Sequence, residues 1–348
     1  MKTNAGNFFE DFELGQVIEH ATPRTVTEGD RALYGAIFPT RFAIPSSSEF
    51  AASVGLTPHP VEELIAFHIA FGKTVPDISL NAVANLGYAE LRFHRPVTPG
   101  DTISTRSEVI GLKENSNGKT GVVYVRSTAT NQRHEVVIDW VRWVMVHKRD
   151  TAESRVSDRV AGDVVPELAA AVPSSDLVIP EGLDFSSYDD TAAGSPHRWG
   201  DYEVGEKIDH VDGVTLTDSE AMMATRLWQN TAKVHFSTEA RPDGRRLVYG
   251  GHVISLARAL SFNGLANAQL IAAINAGSHV APAFGGDTIY AWSEVVDKAE
   301  TSAGSVGALR LRLVATKGRD ESMTLRGDDG KYAEGVLLDL DYWALIPR

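Results

Sequence analysis

The sequence contains no cysteine among its 348 residues. A disulfide, a thiolate nucleophile and a cysteine metal site are therefore excluded. Basic residues are also scarce relative to acids, because 33 Lys and Arg stand against 46 Asp and Glu and give a net charge of −13. A negative chain of this kind is a poor partner for nucleic acid or for an anionic membrane surface.

Long apolar runs are missing as well. Runs such as residues 64–67 and 144–146 are far shorter than the roughly 20 residues that cross a bilayer. The first residues, MKTNAGNFFEDFELG, are polar and acidic and lack the basic and apolar regions of a signal peptide. We therefore expect a soluble, intracellular protein of the cytoplasm with no membrane partner.

The signature motifs of several enzyme classes are absent. Gly72, Lys73 and Thr74 resemble the end of a phosphate-binding loop, but Phe67 stands where that motif requires a glycine. No dinucleotide fingerprint follows a strand, and neither an HExxH zinc motif nor a GxSxG serine elbow occurs. We expect neither a bound metal nor a separate cofactor.

An internal repeat is present. Three matches between the two halves of the chain share one constant offset of 190 positions. FELG at 12–15 matches YEVG at 202–205, His20 matches His210, and Thr27 matches Thr217. Further on, GDTI at 100–103 matches GDTI at 286–289, so the offset has changed slightly through loop insertions. Two copies of one unit of ordinary domain size explain the length of the chain.

Each copy predicts the same order of elements. A capped helix is followed by an apolar helix, over 64–71 in the first copy and 253–262 in the second. Strands rich in Val, Ile, Thr and Trp follow at 102–112, 120–130 and 136–147, and again at 290–297, 309–316 and 335–346. One long helix followed by antiparallel strands predicts an α+β fold in which the sheet wraps the helix.

The segment between the copies, residues 150–196, is rich in Asp, Ser, Ala and Pro. A connection of this length is unusual inside a domain and typical between domains. We therefore divide the chain into an N-terminal unit at 1–149, a linker at 150–196 and a C-terminal unit at 197–348.

Residues 217–260 bring several chemical features into one short span. Thr217 and Glu220 predict a capping box at the start of a helix. Asn230 and His235 follow in a polar segment, and their spacing lets one loop present an amide and an imidazole to the same water molecule. Neutral imidazole, with an unperturbed pKa near ~6.5, suits the removal of a proton from water.

Gly250 and Gly251 stand directly before the apolar helix of the second copy. A glycine pair at a buried helix N-terminus leaves free backbone N–H groups with no side chain in the way. Such groups can hold a thioester oxygen as it becomes anionic, and we expect Gly251 to be the leading donor. A simple tight turn is the alternative use of paired glycines.

In these features the chain resembles the MaoC-like enoyl-CoA hydratases of the hydratase 2 type, a family built on the hot-dog fold. In that family an acidic residue precedes a histidine by five positions, and a His-Gly pair opens the long central helix. Asn230 stands here in place of the usual Asp, His235 matches, and Gly250 replaces the usual His of the pair. The likeness extends through both copies, in segments such as NFFEDFELGQ, QNTAKVHF and YGGHVISLARALSFNGL.

The resemblance implies a double hot-dog fold and a hydro-lyase that acts on an acyl-CoA thioester, with CoA as part of the substrate. It implies the reversible dehydration of β-methylmalyl-CoA to mesaconyl-CoA and water. His235 would act as the base on a water molecule held by Asn230, and the N–H of Gly251 would stabilise the enolate oxygen. Because an amide cannot carry a proton, the proton for C2 would come from His235 itself or through water. Association into a dimer or a higher homo-oligomer is common in that family.

A comparison between the two copies favours one active site per chain. At the offset of 190, Thr40 lies opposite Asn230 and Pro45 lies opposite His235. Proline cannot act as a base, so we expect the first copy to keep the scaffold without the chemistry. By analogy with the family, it would supply part of the surface that binds the acyl group or CoA.

A dicarboxylic acyl group needs a cation for its free carboxylate. Arg226, Lys233 and Arg258 are candidates for that contact or for CoA because they lie near the catalytic segment in sequence. Each of them, taken singly, is more often a surface charge.

Several alternatives stay open at this point. The chain could hydrate another short enoyl-CoA, of the itaconyl or crotonyl type, act as a hot-dog thioesterase, or bind acyl-CoA without catalysis. A metal site is unsupported, because three histidines in one domain, here His235, His252 and His279, converge too easily by chance.

Overall fold

The computed structural model describes residues 2–149 and 162–348. Its strands form one antiparallel sheet in the order β1-β3-β4-β5-β2-β7-β10-β9-β8-β6. They are β1 (Val17–Thr25), β2 (Ala82–Phe93), β3 (Thr102–Glu114), β4 (Thr120–Thr130), β5 (Val136–His147), β6 (Lys207–Thr215), β7 (Leu270–His279), β8 (Thr288–Glu300), β9 (Val306–Lys317) and β10 (Val336–Pro347). The order divides into two halves of five strands with the same internal arrangement, joined where β2 pairs with β7.

The helices lie between and against these strands. They are α1 (Glu28–Ile37), α2 (Ala43–Ser46), α3 (Ser48–Ser53), α4 (Glu63–Thr74), α5 (Asp190–Ala193), α6 (Asp218–Leu227), α7 (Lys233–Phe236), α8 (Gly250–Leu260) and α9 (Phe262–Leu265). Short 3₁₀ turns occur at Phe9–Asp11, Ser174–Asp176, Trp199–Asp201 and Thr238–Ala240, and a π-helical turn at Val75–Ser79 continues α4. Among the described residues, 2–149 and 162–348, no helix is long and apolar enough to cross a membrane.

The two central helices are α4 and α8. Each is buried along nearly its whole length, which is why both are apolar on almost every side. α4 packs against β1 and β3, and α8 packs against the matching strands β6 and β8 of the other half. The double hot-dog fold expected from the sequence is thereby confirmed.

The expected number of strands was wrong. Sequence patterns predict three strands in each copy, and those are β3, β4 and β5 in the first half and β8, β9 and β10 in the second. The patterns miss β1, β2, β6 and β7. β7 lies in the middle of the sheet and its first six residues are all buried, so it lacks the alternation that marks a half-exposed strand.

The two predicted helix caps differ in detail. Thr27 at the start of α1 accepts a hydrogen bond from the Asp30 N–H, and the Asp30 carboxylate accepts one from the Thr27 N–H, which completes a capping box. At the start of α6, Thr217 Oγ1 accepts from the Glu220 N–H at 3.2 Å. The Glu220 carboxylate, however, accepts from the Thr217 hydroxyl at 2.8 Å instead of from its backbone, so the second box is only half made.

The first part of the predicted linker, residues 150–161, lies outside the described residues. From residue 162 onward the segment packs against the body of the protein. Val164 forms a β-bridge with Leu112, and the Trp343 indole N–H donates to Val172 O at 3.0 Å. The division of the chain at 149/150 and 196/197 stays a prediction.

Candidate active site

A cavity of about 290 Å³ lies at the seam between the two halves. Its lining from the first half includes Phe71, Val75, Ser79, Asn85, Tyr88 and Arg142, and its lining from the second half includes Asn230, His235, Tyr249, Gly250, Val253 and His279. A mostly apolar wall with a few polar groups is typical of a site for a small molecule. The first copy thus forms one wall of the cavity.

His235 is held in one tautomer. It lies on α7, and its Nδ1 is 2.9 Å from Leu247 O. Because a carbonyl oxygen can only accept, Nδ1 carries the proton and Nε2 keeps its lone pair. Burial lowers the pKa of His235 to about 4, against a smaller opposite effect of the bond to Leu247. The imidazole is therefore neutral at pH 7 and able to accept a proton.

Asn230 lies in the same cavity wall as His235. Its side chain is 1 % exposed, and Oδ1 accepts a hydrogen bond from the Ala232 N–H at 3.1 Å. That bond fixes the orientation of the amide and leaves its NH₂ group as the donor end. The structure therefore brings the predicted amide and imidazole to one cavity.

Gly250 and Gly251 are the first two residues of α8. The first helical bond runs from the His252 N–H to Tyr249 O, so both glycine N–H groups belong to the set that a helix start leaves without an intrahelical acceptor. Gly250 lines the cavity. A Cβ atom at Gly251 would lie 2.3 Å from Tyr249 Cε1 and 2.5 Å from His68 Cε1, so a larger residue does not fit there.

His279, at the end of β7, fills the space in front of Gly250. A Cβ atom at position 250 would lie 2.3 Å from His279 Cε1. His279 Nε2 is 3.0 Å from the Tyr88 hydroxyl of the other half, and burial, with nearby His235 as a second cause, lowers the pKa of His279 to about 4. The His279 ring, on β7, thus occupies the volume that a side chain at position 250 would need.

The third histidine of the group considered for a metal lies elsewhere. His252 is 2 % exposed and packs edge-on against Phe38, with ring centroids 4.8 Å apart, outside the lining of the cavity. Over residues 2–149 and 162–348, no group of three or more His, Cys, Asp or Glu side chains is arranged to hold a metal ion.

Arg142 is a cavity residue that sequence reasoning missed. It lies on β5, is 0 % exposed, and stands opposite Tyr88 of β2 in the sheet register. Nη2 donates to Thr74 Oγ1 at 2.7 Å, and the guanidinium lies 4.3 Å from the centroid of the Phe71 ring. An arginine flanked by apolar residues on a strand of the first copy was the available signal, because such a position is normally apolar.

The structure does not bring the three predicted cations to the cavity. Arg258 is buried in the second half, where it donates to Ala268 O and lies over the Phe42 ring at 3.6 Å. Lys233 is exposed on α7. Arg226 borders a separate surface depression that also includes Lys73.

The corresponding region of the first half is almost filled. A cavity of only about 30 Å³ remains there, with Glu63 in its wall and Val178 and Pro180 from the segment between the copies beside it. Glu63 is the first residue of α4, as Gly250 is of α8. Pro45 of α2 occupies the position that corresponds to His235 of α7. Thr40, which corresponds to Asn230, donates a hydrogen bond to the Glu62 carboxylate at 2.8 Å. This geometry favours one active site per chain.

Two fused hot-dog units with a histidine-bearing cavity at their seam define a MaoC-like double hot-dog protein. A solved structure described as a putative MaoC domain protein dehydratase from Chloroflexus aurantiacus superimposes with a TM-score of 0.96 at 57% identity, covering 100% of this chain and 99% of that one. A double hotdog protein from Mycobacterium tuberculosis superimposes with a TM-score of 0.76 at 27% identity, covering 99% of each chain.

The chain belongs to the mesaconyl-CoA hydratase family, because the sequence model of that family matches residues 2–326. It is 67% identical over 348 residues to a mesaconyl-CoA hydratase of Cereibacter sphaeroides, with all of both chains covered. It is 57% identical over 352 residues to a β-methylmalyl-CoA dehydratase of Chloroflexus aurantiacus, covering 100% of this chain and 99% of the relative. The protein is therefore an enzyme of the hydro-lyase class.

Proposed function

We propose that this enzyme interconverts β-methylmalyl-CoA and mesaconyl-CoA by removing or adding water across the two carbons next to the thioester. The names of its two most similar relatives described above support this reaction. The observation that carries the proposal is the position of His235, neutral and fixed by Leu247, in one cavity with Asn230 and the start of α8.

In the hydration direction, the NH₂ group of Asn230 holds a water molecule and Nε2 of His235 removes its proton. The oxygen adds to C3, and the electron pair of the double bond moves toward the thioester, whose oxygen becomes an enolate. The N–H of Gly251, with Gly250 beside it, stabilises that oxygen. The imidazolium then returns its proton to C2, since Asn230 cannot carry one. Dehydration follows the same steps in reverse, and no cofactor takes part.

The protonation state of His235 suits this cycle. Burial holds the imidazole unprotonated at pH 7, and the imidazolium that forms when it takes a proton from water can return that proton to the enolate carbon. The side chain therefore serves as both base and acid within one turnover.

The test is the loss of the enoyl-thioester absorbance band when the purified enzyme meets mesaconyl-CoA, with crotonyl-CoA measured alongside. We expect fast loss of the band with mesaconyl-CoA. His235→Ala should slow it by about 100-fold or more, because a positioned general base contributes about 10²–10⁴ in rate. His197→Ala, which removes an exposed histidine, is the matched control and should keep wild-type activity.

Each other outcome overturns a defined part of the proposal. Full activity in His235→Ala removes the role of His235 as base. Preference for crotonyl-CoA keeps the hydratase and discards the dicarboxylic substrate. Release of free CoA without hydration points to a thioesterase.

A further inference from the structure

Arg142 carries a buried charge that has no counterion among the described residues. Over residues 2–149 and 162–348 its guanidinium makes no ion pair, and its hydrogen bonds go to the hydroxyls of Thr74 at 2.7 Å and Ser79 at 3.5 Å. Its Nε is buried without any partner. Burial lowers the pKa of Arg142 to about 10, so the side chain is still charged at pH 7. An unpaired buried charge is costly, and folded proteins normally pair it.

Arg258 shows how the same side chain is accommodated elsewhere in this protein. It is buried to a similar degree, at 2 % exposed, and its Nε also lacks a hydrogen-bond partner, but it donates to the backbone of Ala268. The carboxyl group of Glu62 lies close enough to Arg258 for the two to interact electrostatically. Arg142 has no such neighbour and lies in the cavity wall, which Arg258 does not.

A second unsatisfied group lines the same cavity. Both the Oδ1 and the Nδ2 of Asn85 are buried without a hydrogen-bond partner. Buried polar atoms of this kind are few in folded proteins, and each calls for a partner. Arg142, which is cationic, and Asn85, which can donate a hydrogen bond, line the same cavity. This pair matches an anionic ligand group that accepts several hydrogen bonds.

Arg142 is connected to the start of α8 through two neighbouring residues. Arg142 pairs with Tyr88 across β5 and β2, Tyr88 is hydrogen-bonded to His279 at 3.0 Å, and His279 fills the space in front of Gly250. In mesaconyl-CoA the free carboxylate is attached to C3, the carbon that water attacks. A carboxylate site must therefore lie in the same cavity as His235, as Arg142 does.

We infer that Arg142, assisted by Asn85, binds the free carboxylate of the acyl group, so that the cavity selects dicarboxylic enoyl thioesters over monocarboxylic ones. This inference rests on the proposed function. It assigns the contact to the non-catalytic copy of the chain. The second copy then supplies the chemistry and the first copy supplies the specificity.

The test compares kcat/KM for mesaconyl-CoA with that for 2-methylcrotonyl-CoA, in which a methyl group replaces the free carboxylate. The wild type should strongly prefer mesaconyl-CoA. In Arg142→Met we expect the preference to fall by about 100-fold or more, because a buried charge pair is lost, while 2-methylcrotonyl-CoA is hydrated at least as well as before. Arg258→Met removes a buried arginine outside the cavity and should leave the preference unchanged.

Asn85→Asp is the second variant, since it keeps the size of the side chain and places a negative charge beside the carboxylate. It should lower kcat/KM for mesaconyl-CoA about 10-fold or more, with little effect on 2-methylcrotonyl-CoA, and it decides the matter if Arg142→Met does not fold. Wild-type preference in both variants, or equal loss in Arg258→Met, overturns the inference while the hydratase stands. A wild type that hydrates neither substrate overturns the proposed function as well.

Discussion

At the scale of single residues, the packing of His279 explains why position 250 is a glycine. Gly250 stands where MaoC-like hydratases usually have a histidine, and the ring of His279 occupies the volume that a side chain at 250 would need. The hydroxyl of Tyr88, a residue of the other half, is hydrogen-bonded to the His279 ring. Glycine at position 250 is thus required by the packing of His279, and it also leaves the start of α8 open to the cavity.

Gly250→Ala tests this requirement. The added methyl group would lie 2.3 Å from His279 Cε1, so either the ring or the first turn of α8 must move. We expect the rate of hydration to fall about 10-fold or more, because catalysis is sensitive to displacements of about 1 Å. Gly35→Ala, on an exposed face of α1 with nothing within 4 Å of the new atom, should keep full activity. Equal activity in both variants would contradict the assignment.

At the scale of elements, the sequence could predict what is encoded locally. The apolar stretches of α4 and α8, the caps at Thr27 and Thr217, and the strands with alternating residues all leave a pattern within a few residues. β2 and β7 show no such alternating pattern in the sequence. They form the centre of the sheet, and β7 is buried on both faces over most of its length. The sequence could not predict that the capping box at Thr217 is only half made, since the pattern Thr-x-x-Glu does not specify which atom donates a hydrogen bond to the carboxylate.

The two caps make a matched pair for measurement. Asp30→Ala removes the carboxylate that accepts from the Thr27 N–H and also pairs with Arg24. Glu220→Ala removes an exposed carboxylate that accepts from the Thr217 hydroxyl. We expect the first change to lower the free energy of unfolding by about 1–2 kcal/mol, because a backbone N–H at the helix start loses its acceptor, and the second by about 0.5 kcal/mol. Urea denaturation of both variants measures the difference, and a larger loss in Glu220→Ala would contradict it.

At the scale of the whole molecule, the site belongs to neither half alone. Asn230, His235 and Gly250 lie close together in sequence, so their spacing could predict that they meet. Arg142 approaches the same cavity from the first half through the pairing of β2 with β7. Nothing local in the sequence encodes that approach, which is why the candidates named for the carboxylate were all neighbours in sequence instead.

Several buried histidines are held neutral in the folded chain. Burial is the largest cause that lowers the pKa of His68 to about 3 and the pKa of four others to about 4: His210, His235, His252 and His279. In the unfolded chain each has its ordinary pKa near ~6.5. The unfolded state therefore binds protons first as the pH falls below about 6.5, and folding stability is lost progressively toward pH 4.

Glu63 acts in the opposite direction, because burial raises the pKa of its carboxyl group to about 8. The folded chain holds this proton above pH 4.5 while the unfolded chain releases it, so stability is lost as the pH rises toward 8. We expect the melting temperature to peak near pH 6.5, where the histidines no longer cost stability, and to fall steeply toward pH 5. Over that interval each histidine lowers the free energy of unfolding by up to about 2 kcal/mol. Thermal unfolding between pH 5 and 8.5 measures this profile. Glu63→Gln should flatten the alkaline side of the profile and make the fall below pH 6.5 slightly steeper, because the effect of Glu63 spans pH 4.5 to 8 and opposes that of the histidines on the acid side. A wild-type melting temperature that is constant from pH 6.5 to 5 would show that the histidines are not held neutral by burial.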